Sequence, residues 1–398
     1  MAKNFYRLIL FSIFYIPVAS IIPIRGTIIW FPQFIAFYLL GFAFLSLLIW
    51  EYSKSLSILS GYCLLSYIFI TYTETRSLMC LLTAYFGIFL ICFASRIQKT
   101  KKIYNAIMWM AVFQSILFTL QLFQIDPFFY KISGNGMVGF VGNSNQLAIY
   151  TAAIFPMAIT YVPIFIPIAL FQLFFSHSSS AMIGTFAGSL FYFWNLNKFI
   201  FSATLILFFV FLIFRGNIDK DPGPRAMKER INLWKLTCLQ VLEGKVEDKI
   251  NKNVTQIKTC NPFLGFGIGR FFLFSPQSQE KIIFPDTGRV YEHAHNDLIE
   301  AWFDFGHIGL SIIVWCVGWF IWLFVKCAHK TKELFMTFSA LVSMGITSLG
   351  IYVIHAPVSY FMFLLSLCYA FFSAAICWRL KSVAIGACGY ASYSVGST

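Results

Sequence analysis

The residue types best suited to chemistry are concentrated in one short run, Tyr291 to Asp297, which reads Tyr-Glu-His-Ala-His-Asn-Asp. Histidine titrates near neutral pH and can move a proton, and the neighbouring polar side chains can position a substrate. An apolar stretch, Leu298 to Val325, follows directly. The sequence therefore predicts a polar site at the edge of a membrane, where a lipid-linked substrate presents its head group.

The rest of the chain is strongly apolar. Of its 398 residues, 59% are hydrophobic, 19% are aromatic and 11% are charged, whereas a soluble domain has about 25% charged residues. Repeated long apolar runs indicate an all-α polytopic membrane protein. We predict twelve spans, at residues 8–24, 27–50, 56–72, 77–95, 104–124, 145–161, 162–176, 180–196, 199–215, 298–325, 334–353 and 357–378.

The basic residues are distributed as a membrane topology requires. With the N-terminus inside, lysines and arginines crowd the predicted inner loops, whereas the short outer loops hold only Arg25, Arg76 and Lys131. This bias accounts for much of the net charge of +13 and places both termini on the inner side. We expect no nucleic-acid partner, because no basic patch interleaved with aromatic residues occurs.

The predicted organisation is one membrane domain with one outer insertion. Spans 1–9 occupy residues 1–215, the outer loop domain 216–297, spans 10–12 residues 298–380, and an inner tail 381–398. The sequence leaves the oligomeric state open.

The outer loop domain has three predicted parts. An amphipathic helix covers residues 226–242 and ends at Gly244. Residues 245–260 are charged and without periodicity, which favours a loop. Residues 261–269 form a glycine-rich turn that lets the chain approach another backbone closely. The apolar face of the helix is predicted to consist of Met227, Ile231, Trp234, Cys238, Val241 and Leu242.

The cysteine pattern does not indicate a disulfide framework or a metal centre. Most of the ten cysteines lie in or beside apolar runs, where Cys behaves as a small hydrophobic residue. Cys238 and Cys260 fall in the outer segment, where a disulfide and two free thiols are equally compatible with the sequence. His293 and His295 are poorly spaced for two ligands on one helix face, so we expect no metal and no cofactor.

Three motifs, in order, resemble those of the O-antigen ligase and O-antigen polymerase superfamily of bacterial membrane glycosyltransferases, and the ligases most closely. Residues 142–148, Gly-Asn-Ser-Asn-Gln-Leu-Ala, are similar to the family's G-N-x-N-x-L-A. Arg230 and Trp234, followed by residues 261–267, resemble its R-x-x-x-W and N-P-x-x-G-x-G. His295-Asn296 with Gly306 resembles the ligases' H-N-x9-G. The likeness covers roughly residues 135–320.

This resemblance implies a fold and an activity. The fold would be GT-C-like, in the bacterial inner membrane, with the long loop in the periplasm. The activity would be metal-independent transfer of a glycan from undecaprenyl diphosphate to the lipid A-core oligosaccharide, among membrane lipids. His295 would be the catalytic base, and the substrate contacts would come from Arg230, Arg225, Arg289, Asn143, Asn145 and Asn296.

One element of the family pattern is missing. The family often carries Ser-Arg at the outer start of the eighth helix, where the arginine helps to hold the diphosphate. Residues 176–182 read Ser-His-Ser-Ser-Ser-Ala-Met here, without an arginine. Arg225, Arg289 or His177 are the alternatives for this contact.

The residues themselves fit such a transfer. A glycan on lipid diphosphate is already activated, so the enzyme needs a base for the acceptor hydroxyl and cations for the leaving diphosphate. An imidazole such as His295 suits the first task. A planar, permanently charged guanidinium such as that of Arg230 suits the second.

Other interpretations remain open from the sequence. The function could be that of an O-antigen polymerase, a protein O-oligosaccharyltransferase or a polysaccharide flippase. His295 could belong to a helix cap formed by Asn296 or Asp297, and Asn143 and Asn145 could also be caps. We interpret His293 as a loop residue. Further candidates near the membrane edge are Glu300, Asp304 and His355.

Overall fold

The computed structural model describes a large part of the chain, and 85% of the residues in that part are helical. The described residues are 100–125, 144–176, 178–196, 223–251, 254–267, 293–326 and 331–350, with shorter pieces and single residues within 7–15 and 199–210 and at 139, 270–271 and 366.

Seven helices lie in the described part of the chain. They are α1 (Thr100–Leu122), α2 (Ser144–Tyr161), α3 (Ile166–Phe175, entered through a 3-10 turn at Pro163–Phe165), α4 (Ser179–Leu196), α5 (Gly223–Glu243), α6 (Asp297–Lys326) and α7 (Lys332–Ser348).

Six of the predicted spans are confirmed as helices, with ends that differ by a few residues. They are 104–124, 145–161, 162–176, 180–196, 298–325 and 334–353. Two helices in the described part, Lys102–Leu122 and Asp297–Lys326, are long and apolar enough to cross a membrane. The other six predicted spans lie wholly or largely outside the described residues, so the total of twelve stays a prediction.

α7 packs against α4 and α2 through small residues. Gly184 and Gly188 form a G-x-x-x-G pattern on α4, and an added Cβ on either would collide with the backbone or side chains of α7 at Ser343. The Ser343 hydroxyl also donates to the Ala152 carbonyl of α2 at 3.0 Å. Such close backbone approach, with hydrogen bonds between helices, is typical of helix packing in membranes.

α6 differs from the bundle helices because its apolar side chains are largely uncovered. In the most apolar 18-residue stretch of α6, only 6% of the residues are buried inside the protein. Ile312, Trp315 and Val325 are 55%, 66% and 63% exposed. An exposed apolar surface of this kind requires a cover, and a bilayer supplies one.

Residues 245–259 form a β-hairpin, which corrects two predictions. Strands β1 (Lys245–Asn251) and β2 (Val254–Thr259) pair antiparallel, so residues 245–260 are not a loop and the fold is not purely α-helical. Charged residues in both strands hid the period-2 pattern. The signal that remained was β-branched residues on both sides of an asparagine-rich turn.

α5 confirms the predicted amphipathic helix, but its buried face only partly matches the predicted one, with Val241 common to both. Gly244, with φ of 63°, ends it as expected. Leu233, Thr237 and Val241 are fully buried, whereas Ile231 and Leu242, predicted to be on the apolar face, are 38% and 56% exposed. The buried face is set by a small core between α5, β1 and α6 whose buried members are Leu233, Val241, Val246, Phe271, Ala294 and Phe303.

Candidate functional site

The loop before α6 is held by hydrogen bonds to both backbone polar groups of one residue, Ala294. The buried Ala294 donates its N–H to Glu300 Oε2 at 3.0 Å, and its carbonyl accepts from the Trp234 indole at 2.7 Å. The other Glu300 oxygen lies 2.9 Å from His293 Nδ1. These contacts fix the backbone on which His295 stands.

His295 adopts a left-handed backbone conformation, with φ of 53°. This conformation is uncommon for residues other than glycine and is worth a functional explanation when the surroundings enforce it. The clamp on Ala294 provides the enforcement.

The environment of His295 suppresses its charge. Burial is the main reason that the pKa of His295 falls from 6.5 to about 3, and the nearby Arg230 and His293 lower the pKa further, while Glu300 opposes them. The side chain is therefore neutral at neutral pH and can accept a proton. A bound anion would stabilise the imidazolium and raise this pKa.

Asn296 caps α6, as one of the sequence interpretations predicted. Its Oδ1 accepts from the backbone N–H groups of Leu298 and Ile299 at 3.1 and 3.2 Å. Its Nδ2 donates to the Leu349 carbonyl at 3.2 Å, just past the end of α7. Asn296 thus ties the start of α6 to the end of α7, and its substrate-binding role stays a prediction.

Arg230 reaches the same end of α7 from α5. Its guanidinium donates to the Gly350 carbonyl at 3.0 Å. Cations are favourable at a helix C-terminus, where carbonyl groups lack intrahelical partners. Gly350 also lies against the Ser180 side chain at the start of α4, where an added Cβ would collide. The ends of α4, α6 and α7 therefore meet here, and the Arg230 side chain reaches them from within α5.

A second junction joins the glycine-rich turn to a kink in α6. Gly306 has φ of 64° and ψ of −163°, a conformation open almost only to glycine. At the kink, backbone carbonyls of α6 are free of intrahelical bonds and accept from the glycine-rich turn. Phe266 and Gly267 donate to the carbonyls of Phe303 and Asp304 at 3.0 and 2.9 Å. In return, α6 donates to the turn through His307 and Ile308, which bond the carbonyls of Pro262 and Phe263.

The glycines at this junction are required by space as well as by conformation. A Cβ on Gly265 would lie 2.5 Å from the Gly306 nitrogen and 2.6 Å from the Asp304 carbonyl oxygen. The prediction that the turn lets the chain approach another backbone is confirmed. Two motifs that are far apart in the sequence, N-P-x-x-G-x-G and the glycine of H-N-x9-G, form one structural unit.

The carboxylates singled out near the membrane edge organise the backbone. Glu300 and Asp304 are 3% and 4% exposed. Glu300 holds the loop at Ala294, and Asp304 accepts from the Phe271 N–H at 3.1 Å. Both carboxylates therefore hold the backbone around the site in place through hydrogen bonds to N–H groups.

The remaining predicted site residues are only partly visible. Asn145 is half-buried in the first turn of α2. Arg225 lies in the first turn of α5, but its side chain falls outside the described residues, as do Asn143, Arg289, His177 and His355. Within the described part of the chain, no group of three or more His, Cys, Asp or Glu side chains is placed to hold a metal ion.

Cys238 and Cys260, on α5 and just after β2, are free thiols. Burial raises the pKa of both Cys238 and Cys260. A raised pKa lowers the thiolate fraction and hence reactivity. Of the two possibilities that the sequence left open, the structure therefore has the unpaired one.

Among the contacts at the site that were not expected from the sequence, two join residues whose motifs gave a partial signal. These are the bond from Trp234 to the Ala294 carbonyl and the approach of Ser180 to Gly350. The Trp234 motif was a partial signal for the first. For the contact between Ser180 and Gly350, the sequence shows a run of serines at the start of α4 and a glycine after α7. Neither feature indicates which residue the other will meet.

An apolar groove of about 440 Å³ lies on α6 below the site. It begins beneath the glycine-rich turn, about 15 Å along α6 from the helix start. Its wall residues are Phe263, His307, Ile308, Ser311, Ile312 and Trp315.

Fold and site together define a mostly helical protein with two helices able to cross a membrane and a polar site at one end of its bundle. No protein-family model matches the chain, and a search of curated proteins gives no significant match either.

Proposed function

We propose that the protein is a membrane glycosyltransferase of the O-antigen ligase type. It transfers a glycan from undecaprenyl diphosphate to the lipid A-core oligosaccharide at the periplasmic face of the inner membrane. The observation that carries this proposal is the neutral His295 beside the Arg230 guanidinium, at the edge of an exposed apolar helix.

The site is electrostatically suited to a diphosphate. The guanidinium of Arg230 supplies a permanent positive charge, and one of its nitrogens is held by the Gly350 carbonyl. The N-terminus of α4, at Ser179 and Ser180, lies beside it and adds the positive end of a helix dipole. Together these groups offset the negative charge that builds up on the leaving diphosphate, in place of the missing Ser-Arg element.

His295 is suited to activate the acceptor. Its neutral imidazole takes the proton from an acceptor hydroxyl, whose oxygen attacks the anomeric carbon of the donor sugar. The bond from that carbon to the diphosphate oxygen breaks, and the electron pair leaves with the lipid diphosphate. The configuration at the anomeric carbon inverts. Binding of the anionic donor raises the pKa of His295 toward the range in which a base is effective.

The groove on α6 is compatible with a lipid donor. Its walls are apolar, apart from His307 and Ser311, and it opens on the face of α6 that needs a cover. A prenyl chain lying there would leave the diphosphate near the start of α6.

The test is the distribution of glycan in cells with and without the protein. A ligase predicts that the glycan disappears from lipid A-core while long polymer accumulates on the lipid carrier. Single repeat units on the carrier would instead identify a polymerase. Loss of glycan from a protein, with lipid A-core unchanged, would identify an oligosaccharyltransferase. Donor that accumulates only on the cytoplasmic face would identify a flippase.

A pair of charge-removing variants on α5 tests whether the position of Arg230 matters or only its charge. Arg230→Gln is expected to abolish complementation of the deletion. Lys235→Gln removes the same charge from an exposed position on the same helix and should complement fully. Equal complementation by both variants would argue against a diphosphate site at Arg230.

A further inference from the structure

Two buried glutamines of the helix bundle differ in their bonding. Gln172 and Gln146 are each 1% exposed. The Gln172 amide is fully engaged, because it donates to the Ser115 hydroxyl at 2.9 Å and accepts from the Thr151 hydroxyl at 3.3 Å. Among the residues that the structure describes, neither Oε1 nor Nε2 of Gln146 has a hydrogen-bond partner. An unpaired buried amide is destabilising, so a functional reason is needed for it.

Helical register places Gln146 at the level of the start of α4. The Thr160 hydroxyl of α2 donates to the Tyr192 hydroxyl of α4 at 2.9 Å, and α2 and α4 run in the same direction. Gln146 precedes Thr160 by as many residues as Ser178 precedes Tyr192. This separation is two heptads in each helix. Gln146 therefore lies on nearly the same side of α2 as Thr160, and Ser178 lies on nearly the same side of α4 as Tyr192.

A second contact, between α7 and α2, shows which residue of α7 lies level with Gln146. The Ser343 hydroxyl meets the Ala152 carbonyl, and α7 runs opposite to α2. Gln146 precedes Ala152 by as many residues as Leu349 follows Ser343, so equal helical rise brings Gln146 level with Leu349. Leu349 and the next residue are the ones whose carbonyls accept from Asn296 and Arg230.

Both measures place Gln146 at the level of the site of Arg230 and His295. Ser180 lies against Gly350 at this level, so the starts of α2 and α4 and the end of α7 come together there. Gln146 is therefore a buried amide at the level of the site, on the side of α2 that faces α4.

We propose that Gln146 binds the sugar that is attached directly to the donor diphosphate. An amide offers one acceptor oxygen and two donor hydrogens, and both ends of Gln146 are without partners. A phosphate oxygen can satisfy only the donor end. A sugar hydroxyl or acetamido group both donates and accepts, so it matches the whole amide. This assignment rests on the proposed glycosyltransferase function and makes Gln146 a specificity-determining residue for the donor.

The experiment measures binding to the full-length protein in lipid nanodiscs with two probes. One probe is undecaprenyl diphosphate, and the other is the undecaprenyl-diphosphate-linked glycan extracted from cells lacking the protein. Wild-type protein should bind the glycan-linked probe more tightly. Gln146→Met keeps the length of the side chain and should weaken binding of that probe about 10-fold, while affinity for undecaprenyl diphosphate is unchanged.

Gln172→Met is the matched control, since Gln172 is equally buried and carries the same amide. It should lower the unfolding temperature by breaking satisfied hydrogen bonds, with no change in the preference for the glycan-linked probe. Gln146→Met should keep the wild-type unfolding temperature or raise it. Where the Met variant is not recovered, Gln146→Leu serves in its place.

The outcomes separate the two proposals. If wild-type protein binds neither probe, the proposed function fails and the role of Gln146 fails with it. If wild-type protein prefers the glycan-linked probe and Gln146→Met does so to the same extent, the proposed function stands and Gln146 is excluded. Equal weakening of both probes would place Gln146 at the diphosphate and overturn its assignment to the sugar.

Discussion

The two ends of the H-N-x9-G segment are built differently. At its first end, side chains make the structure: Asn296 caps α6, and Glu300 and Trp234 hold the loop that carries His295. At its last end, Gly306 contributes no side chain, and the contacts to the glycine-rich turn are backbone hydrogen bonds.

This difference separates chemistry from architecture within one motif. A titratable side chain in an enforced conformation is a candidate for catalysis. A glycine whose missing Cβ lets two backbones meet is a structural requirement. We therefore expect substitutions at His295 to change activity and substitutions at Gly306 to change stability.

The largest expected effect is that of His295→Ala on glycan transfer. Removal of a general base lowers the rate by about 10²–10⁴-fold, while the protein should insert at normal levels. His295→Asn is the second variant, because Asn tolerates the left-handed backbone that Ala does not favour. The measurement is transfer from lipid-linked glycan in membranes that contain equal amounts of protein. Wild-type rates in both variants would remove His295 from the base role.

The next largest effect is expected for Gly306→Ala, and it concerns folding. The added Cβ would overlap the carbonyl of Pro262 and the backbone of Gly265, and the required φ and ψ are strained by roughly 1–3 kcal/mol for residues other than glycine. The unfolding temperature in detergent should fall clearly. Gly318→Ala in the same helix is the control, because no other group lies within 4 Å of its added Cβ. Equal unfolding temperatures for the two variants would contradict the junction.

A moderate effect is expected for Arg230→Lys. The lysine ammonium group keeps the positive charge. It lacks the planar array of N–H donors with which the guanidinium can bond the Gly350 carbonyl and a phosphate at the same time. We expect about 10-fold weaker binding of undecaprenyl diphosphate, measured in nanodiscs, with little change in stability. Lys235→Arg on the exposed face of α5 should have no effect. Undiminished affinity in Arg230→Lys would show that charge alone is recognised there.

The smallest expected effect near neutral pH is a pH dependence of stability, which grows as the pH falls. The folded-state pKa of His295, about 3, lies below the value of 6.5 for an exposed histidine, so the unfolded chain binds the extra proton first as pH falls. His295 therefore makes no difference above about pH 6.5 and destabilises the folded state progressively between pH 6.5 and pH 3. The loss is at most about 1.4 kcal/mol per pH unit.

His295→Gln isolates this contribution from those of other groups. Unfolding temperatures of wild type and variant should run parallel above pH 6.5 and diverge below it, with the variant less sensitive to acid. Parallel curves over the whole range would indicate that His295 is not shielded from water.

Several features were accessible from the sequence because they depend on neighbouring residues. The apolar runs predicted α1, α2, α3, α4, α6 and α7, since a helix satisfies its own backbone and needs only a continuous stretch of apolar side chains. The cap at Asn296 and the end of α5 at Gly244 also follow from local chemistry.

Other features escaped prediction because distant residues decide them. The hairpin at residues 245–260 was missed since its charged strands carry little alternation. The buried face of α5 was only partly predicted: Val241 was expected to be apolar and is buried, but Leu233 was missed because its partners in the small core, such as Phe303 and Ala294, come from another part of the chain. Hydrophobicity along α5 alone cannot specify which of two overlapping faces finds a partner.

The sequence by itself determined that the chain is rich in apolar helices and that His295 and Asn296 stand at the start of one of them. These properties arise from side-chain transfer free energies and local hydrogen bonds. Only the tertiary structure decided that Arg230 reaches Gly350 across 120 positions, that Glu300 bonds the loop before it, and that Gly265 meets Gly306. Such contacts depend on how helices pack, and packing is fixed by the shapes of both partners together.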